Sequence, residues 1–254
     1  MSRRRQRRHR AASHASAPAH PAAPPRYIVI DGLKGVGLCL MIAYHFLFDL
    51  TWFRVIHIDF NHDPFWLGYR GAVVALFLGL VGVNLVLARR AKPALRAFWR
   101  RIALIAACAA LVSVASYLTF PQTFITFGIL HCIAVSSVLA RPLIAFPRIA
   151  LLAGIGIIAA GNAVELPLFD TPWLNWVGMM THKPPTEDYV PLLPWLGVVL
   201  VGIAVGHWLL ARERKAIVMV GRVTPRWLAW LGRHSLLVYL VHQPVMVGIL
   251  RVVV

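Results

Sequence analysis

Seven runs of apolar residues, most of them near the length that crosses a bilayer, leave this chain few ways to fold. They fall at roughly 30–52, 67–88, 101–119, 124–140, 149–163, 191–210 and 234–250. A helix needs about 20 apolar residues to cross a ~30 Å hydrocarbon core, and the fourth and fifth runs are the shortest. Inside lipid no water can satisfy a bare backbone, so such runs become helices. With 59% hydrophobic residues, 14% charged residues and a mean hydropathy of +0.70, the expected fold class is all-α, a polytopic membrane helix bundle with about seven transmembrane helices.

Charge orients the bundle. Lysine and arginine crowd the N-terminal tail (Arg3 to Arg10, Arg26), the second connection (Arg89, Arg90, Lys92, Arg96, Arg100, Arg101), the fourth (Arg141, Arg148) and the sixth (Arg212, Arg214, Lys215, Arg222, Arg226, Arg233). The alternate connections carry little beyond Arg54, Arg70 and Lys183, and hold Asp59, Asp63, Glu165, Asp170, Glu187 and Asp188. Seven spans put the two sets on opposite sides, as the positive-inside rule requires. The N-terminus is therefore expected in the cytoplasm and the C-terminus outside.

Topology accounts for most of the +17 net charge, and no nucleic-acid partner is expected. Residues 1–25 read as a disordered basic, Ala/Pro-rich cytoplasmic tail that attracts anionic lipids. Residues 26–254 form the transmembrane domain. Cys39, Cys108 and Cys132 all lie within apolar runs, so neither a disulfide framework nor a metal or redox CxxC motif is present. Homo-oligomerisation is left open.

Polar residues within so apolar a bundle mark where chemistry can occur. His45 and Asp49 sit in the second half of the first run at i, i+4, on one helix face. An Asp at mid-membrane costs roughly 2.5–3.5 kcal/mol, so such groups face cavities and partners. An acid beside an imidazole can fix its tautomer and raise its basicity, as a general base needs; a structural hydrogen-bonded pair is the plainer alternative. Asp31 and Lys34, three apart at the start of the run, fit one face as an ion pair. The loop RVIHIDFNHDPFW is dense in His57, Asp59, His62 and Asp63, yet its spacings match no metal signature. His131 in the fourth run, and Tyr239, His242 and Gln243 in the last, complete a set expected to line one shared cavity.

Three blocks resemble a known family. RYIVIDGLKGVGLCLMIAYHFLFDL is similar to the start of the membrane domain of heparan-α-glucosaminide N-acetyltransferases and their bacterial branch, in which Asp-x-x-Arg-Gly opens the first helix; here Lys34 replaces the arginine. ALFLGLVGVNLVLARR resembles their second membrane helix and LGRHSLLVYLVHQPV the closing helix of the bacterial branch. Lys34, ten residues, then His45 also matches a basic-x10-His pattern of the wider type-three membrane sugar acyltransferases.

The resemblance implies a transmembrane acyltransferase of the bacterial inner membrane, moving an acetyl group from cytoplasmic acetyl-CoA to a sugar or glycan acceptor on the outer side. Acetyl-CoA is then the co-substrate, with no metal. It implies that His62, about twenty residues before Gly82, is the catalytic histidine, with His57 a poorer match; His45 remains the competing base, with Asp49 to orient the imidazolium. Direct transfer and an acyl-histidine intermediate both stay open. Lys34, paired with Asp31, and Arg100 and Arg101 become candidates to hold the CoA phosphates. His57, His131, Tyr239, His242 and Gln243 become candidates for the acceptor cavity. A small transporter would also place His and Asp in a membrane cavity, but no internal duplication is visible. A non-catalytic scaffold has no need of His45 and Asp49 on one face. A cysteine introduced at Asn61 is expected to react with an impermeant maleimide applied from outside; modification only from the cytoplasmic side reverses the orientation.

Overall fold

The computed structural model describes residues 27–91, 94–186, 188–212 and 223–254. The tail 1–25, Arg26, Lys92, Glu187, Arg214, Lys215 and Arg222 lie outside the described residues. Eight α-helices and no strand occur among them: α1 Ile28–Trp52, α2 Pro64–Arg90, α3 Leu95–Thr119, α4 Ile129–Ala140, α5 Pro147–Ala163, α6 Leu192–Arg212, α7 Arg226–Arg233 and α8 Ser235–Val253. Five of them (α1, α2, α3, α6 and α8) are long and apolar enough to cross a membrane. The protein is an all-helical membrane bundle, and each expected span corresponds to a helix.

Local chemistry sets the ends. Asp63 caps α2, its carboxylate accepting from the Phe65 N–H at 2.8 Å, with Pro64 in the first turn and Arg89 and Arg90 in the last. This is structural work for one of the loop acids. The fourth run was expected to start at 124, but α4 starts only at Ile129. Its 12 residues rise about 18 Å, short of a full crossing. A 3-10 turn, Arg141–Ala145, extends it, and His207 of α6 donates to the Ile144 carbonyl at 2.8 Å. The last run, expected over 234–250, is the continuous helix α8, and a break at His234 sets it off from the short α7 that precedes it.

The helices α2, α5 and α6 pack through glycine. A Cβ on Gly82 would collide with the Val199 carbonyl oxygen, and one on Gly202 with that of Gly79; Gly154 and Gly197 face each other in the same way between α5 and α6. Small residues let helix backbones approach where no hydrophobic drive operates between them in lipid. Val74, Leu78, Val86, Val199, Leu200 and Ile203 fill this core, with Cys132 of α4. α7 lies against the start of α1 just as closely: a Cβ on Gly35 would meet the Leu228 carbonyl, and one on Gly232 that of Asp31.

The long connection between α5 and α6 folds back over the bundle. Thr186 donates to the Phe124 carbonyl at 2.9 Å, and the Val190 N–H to the Phe127 carbonyl at 3.2 Å. Tyr189 donates to the Asn175 carbonyl.

Gly82→Ala is expected to destabilise the protein by about 1–3 kcal/mol through overpacking. Gly79→Ala, whose Cβ meets nothing within 4 Å, should leave the melting temperature in detergent nearly unchanged. Equal melting temperatures for the two variants would remove this account of the α2–α6 seam.

Candidate functional site

A cavity of about 1600 Å³ runs through the bundle between α1, α2, α3, α4 and α8. At one end it is lined by Lys34 near the start of α1, Asn84 near the end of α2 and Arg101 near the start of α3. At the other it is lined by Asn162, Glu165, Thr181, His182, Lys183 and Asp188. His45, Asp49, Tyr239, His242 and Gln243 lie between, and Arg70 of α2 reaches the same space.

The middle of the cavity is where α8 meets α1. His45 Nδ1 and His242 Nε2 are 3.0 Å apart, and His242 Nδ1 is 2.6 Å from the Tyr239 carbonyl oxygen. One turn further along α1, Asp49 accepts from the Gln243 amide at 2.7 Å. Asp49 is 3% exposed. Its second oxygen and the Gln243 oxygen are sealed without a protein partner among the described residues; both are acceptors, so only a donor can complete them.

This differs from the pairing expected within α1. Positions i and i+4 put His45 and Asp49 on one face, as the spacing requires, but the imidazole is bonded to His242 and not to Asp49. The carboxylate pairs with Gln243, a better-placed donor on the next helix.

The remaining expected site residues separate into those that reach the cavity and those that do not. Lys34 and Arg101 line it; Asp31 and Arg100 do not. Lys34 pairs with Asp31 at 3.7 Å. His131 is absent from the lining. The Gly128 N–H donates to its Nδ1 at 3.2 Å, completing the first turn of α4, and Ser113 Oγ lies 3.4 Å from its Nε2.

His57 is exposed, and His62 does not line the cavity, against the expectation that it shares one with His45. The His62 side chain is 86% exposed, and its Nδ1 lies 3.0 Å from Asp59 Oδ2. Asp59 Oδ1 also accepts the backbone N–H groups of Asn61 and His62, each at 3.0 Å. Those two N–H groups hold the Asp59 carboxyl below its ordinary range. The loop satisfies itself locally.

Asp188 was visible in the sequence only as an outer-loop acid. Its Oδ2 accepts from the Ile129 N–H at the start of α4 at 3.2 Å and from the Tyr239 hydroxyl at 3.4 Å. A Cβ on Gly128 would stand 2.5 Å from that oxygen, so only glycine leaves room. Asp188 is half-buried at the border of the cavity, and desolvation raises its carboxyl above the ordinary range despite its two bonds and the nearby charges of Lys183 and Arg70. Nothing in its spacing announced this; the 59-residue separation from Ile129 is closed only by the fold. Arg70 did leave a signal, a charge inside an otherwise apolar helix. Among the described residues no group of three or more His, Cys, Asp or Glu is arranged to hold a metal ion.

Because the folded carboxyl of Asp188 titrates above its unfolded value of about 3.9, the folded state binds the extra proton in that window. Stability therefore falls as pH rises from the unfolded value through the raised one. Asp188→Asn keeps both acceptor bonds without the half-buried charge, and is expected to flatten this part of the melting-temperature profile. Superimposable wild-type and variant profiles would rule out a half-buried, titrating Asp188.

Searches of curated proteins and of solved structures each gave no match. A family model described as heparan-alpha-glucosaminide N-acetyltransferase, catalytic, matches residues 26–244. That span takes in α1 through to His242 and Gln243 of α8, and with it the whole central cluster. The chain belongs to the heparan-alpha-glucosaminide N-acetyltransferase catalytic-domain family, a family of membrane acetyltransferases.

Proposed function

We propose that this chain transfers an acetyl group from cytoplasmic acetyl-CoA to an amine or hydroxyl of a sugar acceptor on the opposite side of the membrane, with His45 as the general base. The observation that carries this reading is one cavity whose lining passes from Lys34 and Arg101 at one end of the bundle, through His45, to polar loop residues at the other. A transferase with donor and acceptor on opposite sides needs such a continuous path. The alternating Lys/Arg bias supports the orientation, with Lys34 and Arg101 cytoplasmic. It fits the bacterial inner membrane.

His45 lies eleven positions after Lys34, about 16 Å along the helix. Lys34 and Arg101 take the CoA phosphates by charge-assisted hydrogen bonds, and the pantetheine arm extends along α1 toward His45. His45 removes the proton as the acceptor nitrogen or oxygen attacks the thioester carbonyl carbon. The new C–N or C–O bond forms, the C–S bond breaks, and the proton passes from His45 to the departing thiolate. Asn162, Thr181 and Lys183 are suited to sugar hydroxyls. The basic charge of the tail 1–25 attracts anionic lipid headgroups.

His45 takes the place of His62 in this reading because it borders the cavity, whereas His62 is exposed and bonded to Asp59. His45→Ala is expected to abolish turnover while acetyl-CoA binding persists. His62→Ala should retain most activity. Lys34→Ala should raise the KM for acetyl-CoA about tenfold or more, since a hydrogen bond to a charged group contributes about 1.5–3 kcal/mol. Acetyl transfer from labelled acetyl-CoA by purified protein in liposomes measures all three. An active His45→Ala beside an inactive His62→Ala would return the role to the loop histidine.

A further inference from the structure

Two imidazoles 3.0 Å apart in the same membrane cavity must agree on where their protons sit. His242 Nδ1 lies 2.6 Å from the Tyr239 carbonyl oxygen. A carbonyl oxygen only accepts, so His242 Nδ1 carries a hydrogen and donates it. In the neutral ring Nε2 of His242 is then a lone pair, and it faces Nδ1 of His45. Two lone pairs at that separation repel, so His45 Nδ1 must carry the second hydrogen. This tautomer pair is assigned from the hydrogen-bond network. It leaves one unused lone pair, on Nε2 of His45. That atom has no protein partner among the described residues, and it is not among the unpaired atoms sealed from solvent.

We propose that His242 is the positioning residue of the reaction: held by the Tyr239 carbonyl, it fixes His45 as the Nδ1–H tautomer and so presents Nε2 to the acceptor. The proposal rests on the reading of His45 as base. When Nε2 takes the acceptor's proton, His45 becomes an imidazolium whose Nδ1–H already points at a neutral acceptor. The positive charge is shared across a second ring without a further bond being made. As the C–S bond breaks, the Nε2 proton goes to the thiolate sulfur and the pair returns to its starting tautomers. His242 thus fills the place that a carboxylate fills behind the histidine of a serine hydrolase. Asp49, the residue expected to do this, is bonded to Gln243 one turn away.

The nearest rival is Tyr44, whose ring meets His45 edge-on with centroids 5.8 Å apart. It offers no acceptor to Nδ1, which His242 occupies. Tyr239 contributes through its backbone, so its own side chain remains free to bond Asp188.

The test compares His242→Phe, which keeps a ring but no acceptor, with His242→Gln, whose amide oxygen can accept from His45 Nδ1–H. Both are purified in liposomes and assayed with labelled acetyl-CoA. His242→Phe is expected to lower kcat about 100-fold or more, the lower range for a general-base contribution, with the KM for acetyl-CoA changed less than about threefold. His242→Gln should recover at least about tenfold of that loss, which a role in packing alone would not produce. An acetyl-CoA-induced rise in melting temperature serves as the check on folding, and His242→Leu replaces the Phe variant if that rise is absent. Wild-type kcat in the acceptorless variant overturns the proposal, as does a His242→Gln no better than it. His45→Ala separates the two levels. Full activity there removes the base assignment itself, whereas an inactive His45→Ala beside an unaffected His242→Phe removes only the positioning role.

Discussion

Polar groups that stand inside a membrane have no water to bond, and in this protein that constraint decides how the first and last long helices meet. α8 has little packing of its own: only 6% of its most apolar window is buried. Val238 and Tyr239 pack against Leu38 and Met41 of α1, and a pair of side-chain hydrogen bonds one turn apart, His45 with His242 and Asp49 with Gln243, joins the two helices further along. Breaking either leaves a buried polar group unpaired, which costs about 1–3 kcal/mol. The register of α8 on α1 is therefore set by the same four side chains that face the cavity. Docking and chemistry share one set of contacts.

The rest of the bundle makes that arrangement affordable in space. α2, α5 and α6 are drawn together backbone to backbone by Gly82, Gly202, Gly154 and Gly197, and their apolar side chains close over a dense core. The other face of α2, with α1, α3, α4 and α8, encloses the cavity of about 1600 Å³. α4 contributes by being short. Because it begins only at Ile129, the chain before it and the connection into α6 meet at its first turn, where Asp188 and His131 satisfy the exposed N–H groups. A rigid half thus holds a hollow half in shape.

Much of this was legible in sequence, for physical reasons. Apolar run length gave each membrane helix, and i, i+4 spacing placed His45 and Asp49 on one face. The closing block LGRHSLLVYLVHQPV carried His242 and Gln243. Partner identity across helices was not legible, because no local period reports which side chain a neighbouring helix will present. That is why His45 was matched with Asp49, its nearest neighbour on the same helix, when its partner is 197 residues away. The loop histidines misled in the opposite direction. Density of His and Asp suggested a site, yet Asp59 and Asp63 spend their oxygens on backbone N–H groups of the turn and of α2. Likewise Gly35 reads as part of a charged motif, whereas its lack of a side chain lets α7 lie against α1.

In the proposed transfer an imidazole rather than a carboxylate stands behind His45, and the nearest carboxylate, Asp49, is bonded instead to Gln243. A carboxylate held against an imidazole in the hydrocarbon region brings a full charge that must be desolvated whether or not the reaction proceeds. A neutral imidazole brings none, and charge is present on the pair only while His45 holds the acceptor's proton. Tyr239 then joins this pair to the loop that closes the cavity's far end: its carbonyl receives the His242 hydrogen, while its hydroxyl donates to Asp188, which in turn receives the first N–H of α4. Two unrelated atoms of one residue thereby tie the base pair, the polar loop and the short helix to the same turn of α8. In the proposed transfer an acceptor enters past Asp188 and Tyr239 on its way to His45, and the wall it passes and the imidazole pair are held by one piece of backbone.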